Sequence, residues 1–178
     1  DFLRVMTVAT RAIRSVDPQR YVLVDGLRWG RECAPELVEL GVGQSTRGYD
    51  PMDISHHGAS WVSSDSYAKP VWPDKEGTLH RWDRERLEEL YAPWFDLARK
   101  GIGIHCGECG CYNKTPHRVF LAWFHDVLEI LTEQNVGYAL WNFRGAFGVL
   151  DSERKDIDYE DFHGHKLDRQ LLSLLQEF

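Results

Sequence analysis

The residues best placed to do chemistry lie at a few points of the chain. Gly107-Glu108-Cys109-Gly110 sets a carboxylate between two glycines, where tight backbone leaves room for a ligand to approach. Such a carboxylate can attack or stabilise an oxocarbenium-like centre; a Glu that caps the following loop is the plainer reading. Tyr138-Ala139-Leu140-Trp141-Asn142, followed by Phe143 to Gly148, offers an indole as the floor of a sugar subsite or as ordinary core. Arg47-Gly48-Tyr49-Asp50-Pro51 supplies a phenol that can hydrogen-bond a carboxylate and a guanidinium that would keep it ionised. His56, His57 and Trp61 follow, able to bind sugar hydroxyls or simply to stabilise their loop.

A second chemistry competes for part of this set. His105-Cys106-Gly107-Glu108-Cys109-Gly110-Cys111, with His117 nearby, contains favoured zinc ligands and a Cys-x-x-Cys spacing. Two arguments oppose a metal. Neighbouring residues on a strand point to opposite faces, so His105 and Cys106 diverge. A free Cys is also a common core residue. Only Cys33 adds to these cysteines, too few for a disulfide scaffold.

The elements that must position these residues alternate in type. Apolar residues at helical spacing predict a helix over 2–16, ended by Asp17-Pro18. Tyr21 to Val24 reads as a short buried strand before the turn at Asp25-Gly26. Pro35 to Leu40 reads as a short helix closed by Gly41. Residues 42–46 form a weak strand candidate, and 47 to about 82 a long aperiodic segment of the kind that is usually functional. A helix over 83–99 should be kinked or split at Pro93. Then come a strand at 101–106, a Gly/Cys-rich loop at 107–115 and a helix at 116–135. A strand at 137–141, a Gly-rich loop at 144–164 and a terminal helix at 166–176 complete the chain. Strands alternating with helices imply a parallel sheet with right-handed crossovers. In that architecture chemistry gathers where strands end. Asp25, Arg47 and Tyr49, Glu108, and Trp141 and Asn142 each follow a different strand.

Composition narrows the function classes. A net charge of −7 repels phosphate backbones and argues against a nucleic-acid partner. The seven Trp suit a neutral carbohydrate, whose C–H faces stack on indole. No apolar run approaches the roughly 20 residues of a membrane-spanning helix, and no signal peptide is visible. The opening Asp1-Phe2-Leu3-Arg4 reads as the start of a trimmed piece. At 178 residues the chain holds one domain, 1–178, but falls short of the roughly 250 of a full (β/α)8 barrel.

Taken in order, these motifs resemble glycoside hydrolase family 5, the cellulase-like TIM barrels, over nearly all the chain. Ala12 to Pro18 resembles the end of the fourth barrel helix. Val22-Leu23-Val24-Asp25-Gly26 with Trp29-Gly30 resembles the fifth strand. Tyr49-Asp50-Pro51 through Trp61 resembles the loop of the sixth, Gly107 to Gly110 the nucleophile motif of the seventh, and Trp141 with Phe147-Gly148 the eighth. The resemblance implies an α/β fold, a (βα)4 half of a barrel corresponding to strands 5 to 8. It implies retaining hydrolysis of a β-linked glucan or mannan, with Glu108 as nucleophile, Tyr49 as its hydrogen-bonding neighbour and Trp141 as platform. Arg47, His56, His57, Trp61 and Asn142 become substrate-cleft residues, and no cofactor is needed. An extracellular or periplasmic location is the family habit.

Two departures qualify the implication. Arg47 stands where the family usually has a His two residues before the Tyr, exchanging a neutral donor for a permanent cation. The acid/base Glu of the family's Asn-Glu-Pro motif ends a fourth strand that this chain lacks. A retaining glycosidase needs two carboxyl groups about 5–5.5 Å apart; Asp25, Asp50 and Asp53 are the stand-ins available. A half barrel also has an open edge, so a missing N-terminal half or a second copy in an isologous dimer is the expected partner. Alternatives are a non-catalytic carbohydrate-binding half barrel and a Cys/His metal-binding domain.

Overall fold

A computed structural model describes residues 1–178. Its centre is a four-stranded parallel sheet in the order β1-β2-β3-β4, formed by β1 (Leu23–Asp25), β2 (Gly43–Gly48), β3 (Ile104–Cys109) and β4 (Gly137–Leu140). Every neighbour in space is also the neighbour in sequence, as expected for half of a (β/α)8 barrel. The helices are α1 (Phe2–Val16), the single turns α2 (Leu27–Gly30) and α3 (Met52–Ser55), then α4 (Arg84–Arg99), α5 (His117–Glu133) and α6 (Arg169–Glu177). Short 3-10 turns lie at Pro35–Leu40 and Ser64–Ser66.

The main core forms where helices cover one face of the sheet. Leu87, Tyr91 and Trp94 of α4, Phe120, Trp123, Phe124 and Val127 of α5, and Leu171 of α6 pack there with Cys106 and Cys109 of β3. A smaller cluster of Val24, Ala34, Leu37 and Val42 is covered by Phe2 and Met6 of α1. Arg14 of α1 donates to the carbonyls of Leu40 at 2.6 Å and Gly41 at 2.8 Å. Those contacts hold the helix on the 3-10 turn.

Several sequence expectations are corrected. The third strand runs on through Glu108 to Cys109, so the carboxylate sits within the strand, not in a loop after it. Arg47 likewise lies inside β2. Pro93 does not divide α4, because Tyr91, Trp94, Phe95 and Leu97 around it are buried and packing outweighs the local loss of one backbone bond. Lys166 and Leu167, expected in the terminal helix, belong to the hairpin β5 (Glu160–Phe162) and β6 (His165–Leu167). The helix begins only at Arg169, capped by Asp168.

Candidate active site

Glu108 and its neighbours meet through two register shifts. β2 and β3 pair Ser45 with His105 and Thr46 with Cys106, then slip so that Arg47 stands opposite Glu108. A second slip against β4 falls between Cys106 and Cys109. Such bulges re-aim side chains next to active sites. Tyr49 then donates its phenol to Glu108 Oε2 at 3.0 Å, and Arg47 Nε lies 3.5 Å from Oε1. The other guanidinium nitrogens reach Asp25 Oδ1 at 2.9 Å, Ser45 Oγ at 2.7 Å and the Thr46 carbonyl at 3.1 Å.

Asp25, Arg47, Tyr49 and Glu108 line a cleft of about 570 Å³ that also includes Trp29, Arg31, Asp50, Met52 and His56. Burial, the Glu108 charge and the hydrogen bond to it all push the Tyr49 phenol above its ordinary value. It therefore stays protonated and acts as a donor. Burial, with Arg31 nearby, lowers His56 to about 4, leaving a neutral imidazole. Ser55 donates its hydroxyl to the Tyr49 carbonyl, so the 2.8 Å contact between Ser55 Oγ and His56 Nδ1 is a donation by the ring; the hydrogen-bond network thus assigns the tautomer. His56 in turn packs edge-on to Tyr49 with centroids 5.0 Å apart.

The other expected site residues are placed less centrally. Trp141 follows β4 beside β3, its backbone N–H donating to the Cys109 carbonyl at 2.7 Å, and the residue is 49% exposed. Its peptide bond to Asn142 is cis, and Asn142 Oδ1 is a buried atom without a partner. Trp61 is exposed and packs edge-on to Tyr112 at 4.8 Å and His56 at 6.2 Å. His57 has a buried, unpartnered Nδ1, and burial lowers its basicity. None of Trp61, Trp141, His57 or Asn142 lines the Glu108 cleft itself.

Trp29 escaped the sequence reading as a site residue. It lines the cleft and is 88% exposed. Arg28, Trp29 and Gly30 are three successive residues with φ of 51°, 58° and 76°. Non-glycine residues rarely adopt that conformation, and it clusters at binding sites. Arg31, also missed, binds Asp50 through two nitrogens at 2.9 and 2.6 Å.

The other carboxylates near the cleft are engaged by neighbouring groups. Asp25 faces Arg47, Asp50 grips Arg31, and Asp53 accepts from the Ala68 N–H at 2.9 Å. The Cys/His set also disperses. Cys106, Cys109 and Cys111 donate to the carbonyls of Glu108, Ala139 and Ile54, and His117 binds Asp168 at 2.8 Å. Burial raises the Cys111 thiol above its ordinary value. The one group of ligand atoms close enough for an ion is instead His125, Asp126 and Glu129, where Arg84 already pairs with both carboxylates.

No family model matches the chain. It is 21% identical over 185 aligned residues to Endoglucanase C of Acetivibrio thermocellus, an alignment that covers 88% of this chain and 53% of that protein. A crystal structure described as a glycoside hydrolase matches with a TM-score of 0.93 and 42% identity, over 99% of this chain and 54% of that one. Endoglucanase Cel5A of Thermotoga maritima matches with a TM-score of 0.75 at 22% identity, over 97% and 53%, which speaks to fold alone. The chain spans about half the length of the relatives it matches. In sequence and in fold, it is similar to the C-terminal half of a cellulase-like family 5 glycoside hydrolase barrel.

Proposed function

We propose that this chain carries the nucleophile half of a retaining glycoside hydrolase acting on a β-linked glucan or mannan. The observation that carries the reading is the Tyr49–Glu108 hydrogen bond on the floor of the cleft, at the ends of parallel strands. In the first step Glu108 Oε attacks the anomeric carbon. The bond to the leaving oxygen breaks, and that oxygen takes a proton from an acid supplied by the other half of the barrel. Water, deprotonated by the same group, then releases the sugar from Glu108. Tyr49 fixes the carboxylate for attack. Trp141 forms the platform under the sugar, and His56, His57, Trp61 and Asn142 offer contacts further along the glycan. The substrate class is supported, as part of this proposal, by the similarity to Endoglucanase C and by a Cel5A fold neighbour solved with mannotriose.

Asp25, Asp50 and Asp53 are engaged as described. Four strands alone are therefore expected to hold half of an active site. The partner that closes the barrel is an N-terminal half or a second copy of this chain. In the assembled barrel, Glu108→Gln should lower hydrolysis of a β-glucan or mannan by about three orders of magnitude or more, with substrate still bound. Wild-type turnover by that variant would remove Glu108 from the mechanism.

A further inference from the structure

The site is built around Arg47 to a degree that its contact with Glu108 alone does not explain. A side chain on Gly107 would meet Ser45 Oγ at 2.5 Å and Arg47 Nη1 at 2.9 Å. One on Gly30 would meet Arg47 Cγ at 2.7 Å. Two glycines on different elements thus clear the volume that this one side chain fills. Its guanidinium is held on three sides, by Asp25, by Ser45 Oγ and the Thr46 carbonyl, and by Glu108. The side chain is 18% exposed, whereas that of Asp25 is 65% exposed. Asp25 therefore reaches Arg47 from the open mouth of the cleft.

We propose that Asp25 and Arg47 are a positioning pair for the nucleophile: Asp25 fixes the guanidinium, and the guanidinium fixes Glu108 Oε1 while Tyr49 holds Oε2. The proposal rests on the reading of Glu108 above. It assigns to this chain a cationic clamp where the family resemblance leads one to expect a neutral histidine. A rigid, planar, permanently charged group suits that task, because it orients a carboxylate without gaining or losing a proton. Arg47 contacts the carboxylate that reacts, whereas Asp25 does not. Asp25 acts only through Arg47, so its effect must vanish when Arg47 is gone.

The test is steady-state hydrolysis of cellotetraose and mannotetraose by the assembled barrel. The variants are Glu108→Gln, Asp25→Asn, Asp25→Glu, Arg47→Gln and the double variant Asp25→Asn/Arg47→Gln. Asp25→Asn is expected to lower kcat about tenfold or more with little change in KM, the mark of lost orientation. Asp25→Glu, which keeps the charge, recovers part of that loss. In the Arg47→Gln background, Asp25→Asn has no further effect. The proposal is overturned if Asp25→Asn keeps wild-type kcat. It is equally overturned if the two losses multiply, or if Asp25→Glu is as impaired as Asp25→Asn. Full activity of Glu108→Gln removes the nucleophile reading, and this one with it. An inactive Glu108→Gln beside a fully active Asp25→Asn removes this one alone.

Discussion

At the scale of single residues, the Glu108 carboxylate is held from two sides by groups of different kind. Tyr49 gives one neutral donor to Oε2, and Arg47 places a charge near Oε1. A hydrogen bond to a charged group contributes about 1.5–3 kcal/mol. Tyr49→Phe should therefore lower kcat roughly 10- to 150-fold, measured on soluble oligosaccharides; an unchanged kcat contradicts a role for the phenol. His56 carries a pH signature. Its basicity falls from the ordinary 6.5 to about 4 in the fold, through burial and then Arg31. Below about pH 6.5 the unfolded chain takes up a proton that the native one refuses, so stability declines as pH falls towards 4. Urea midpoints at pH 7 and pH 5 should show that decline, and it should be smaller in His56→Gln. Glu108, Tyr49 and Arg47 were legible in the sequence because each lies at a strand end beside glycine or proline. Trp29 was not, because its exposure depends on three successive left-handed residues, which no apolar period or motif announces.

At the scale of elements, register does the positioning. The slips in β2 and β3 set Arg47 against Glu108 and direct Cys106 and Cys109 into the core. Gly48 makes room for that arrangement. A methyl group there would lie 2.6 Å from Cys109 Cβ and 3.3 Å from Cys106 Sγ, both in buried side chains with no free space to move into. Gly48→Ala is expected to destabilise by about 1–3 kcal/mol, seen as a lower urea midpoint; an unshifted midpoint contradicts the packing. The long helices were readable because their apolar positions recur at helical spacing, and α5 buries the stripe that spacing marks. The hairpin β5–β6 was not readable. Its first strand is exposed throughout, so no alternation of apolar and polar residues marks it. The extent of β3 was not readable for another reason: Gly107 looks like a turn, yet it lies within the strand, and it is glycine because Ser45 and Arg47 occupy the space a side chain would need.

At the scale of the whole molecule, the sheet is open. β1 and β4 each have one unpaired edge, and Leu23 on β1 is exposed. On α1, Val5, Val8 and Val16 are 48%, 61% and 87% exposed, although Phe2 and Met6 on the same helix reach the core. Unpaired strand edges and apolar faces of this kind invite association. Light scattering on the 178-residue chain should accordingly find dimers or larger species at micromolar concentration. Val8→Lys together with Val16→Lys should reduce them, and a wild-type monomer at high concentration contradicts the expectation. The parallel sheet was legible because strands and helices alternate and chemistry-bearing residues recur at strand ends; that it is half of a barrel was legible only through the resemblance of the ordered motifs to family 5 glycoside hydrolases.

Covalent trapping bears most directly on Glu108. The assembled barrel, treated with a 2-deoxy-2-fluoro-β-cellobiosyl fluoride, should lose activity as one fluoroglycosyl group accumulates. Mass spectrometry of the digested protein should place that group on the peptide containing Glu108. Hydrolysis with inversion at the anomeric carbon, or labelling of a different carboxylate, would contradict the assignment of Glu108 as nucleophile.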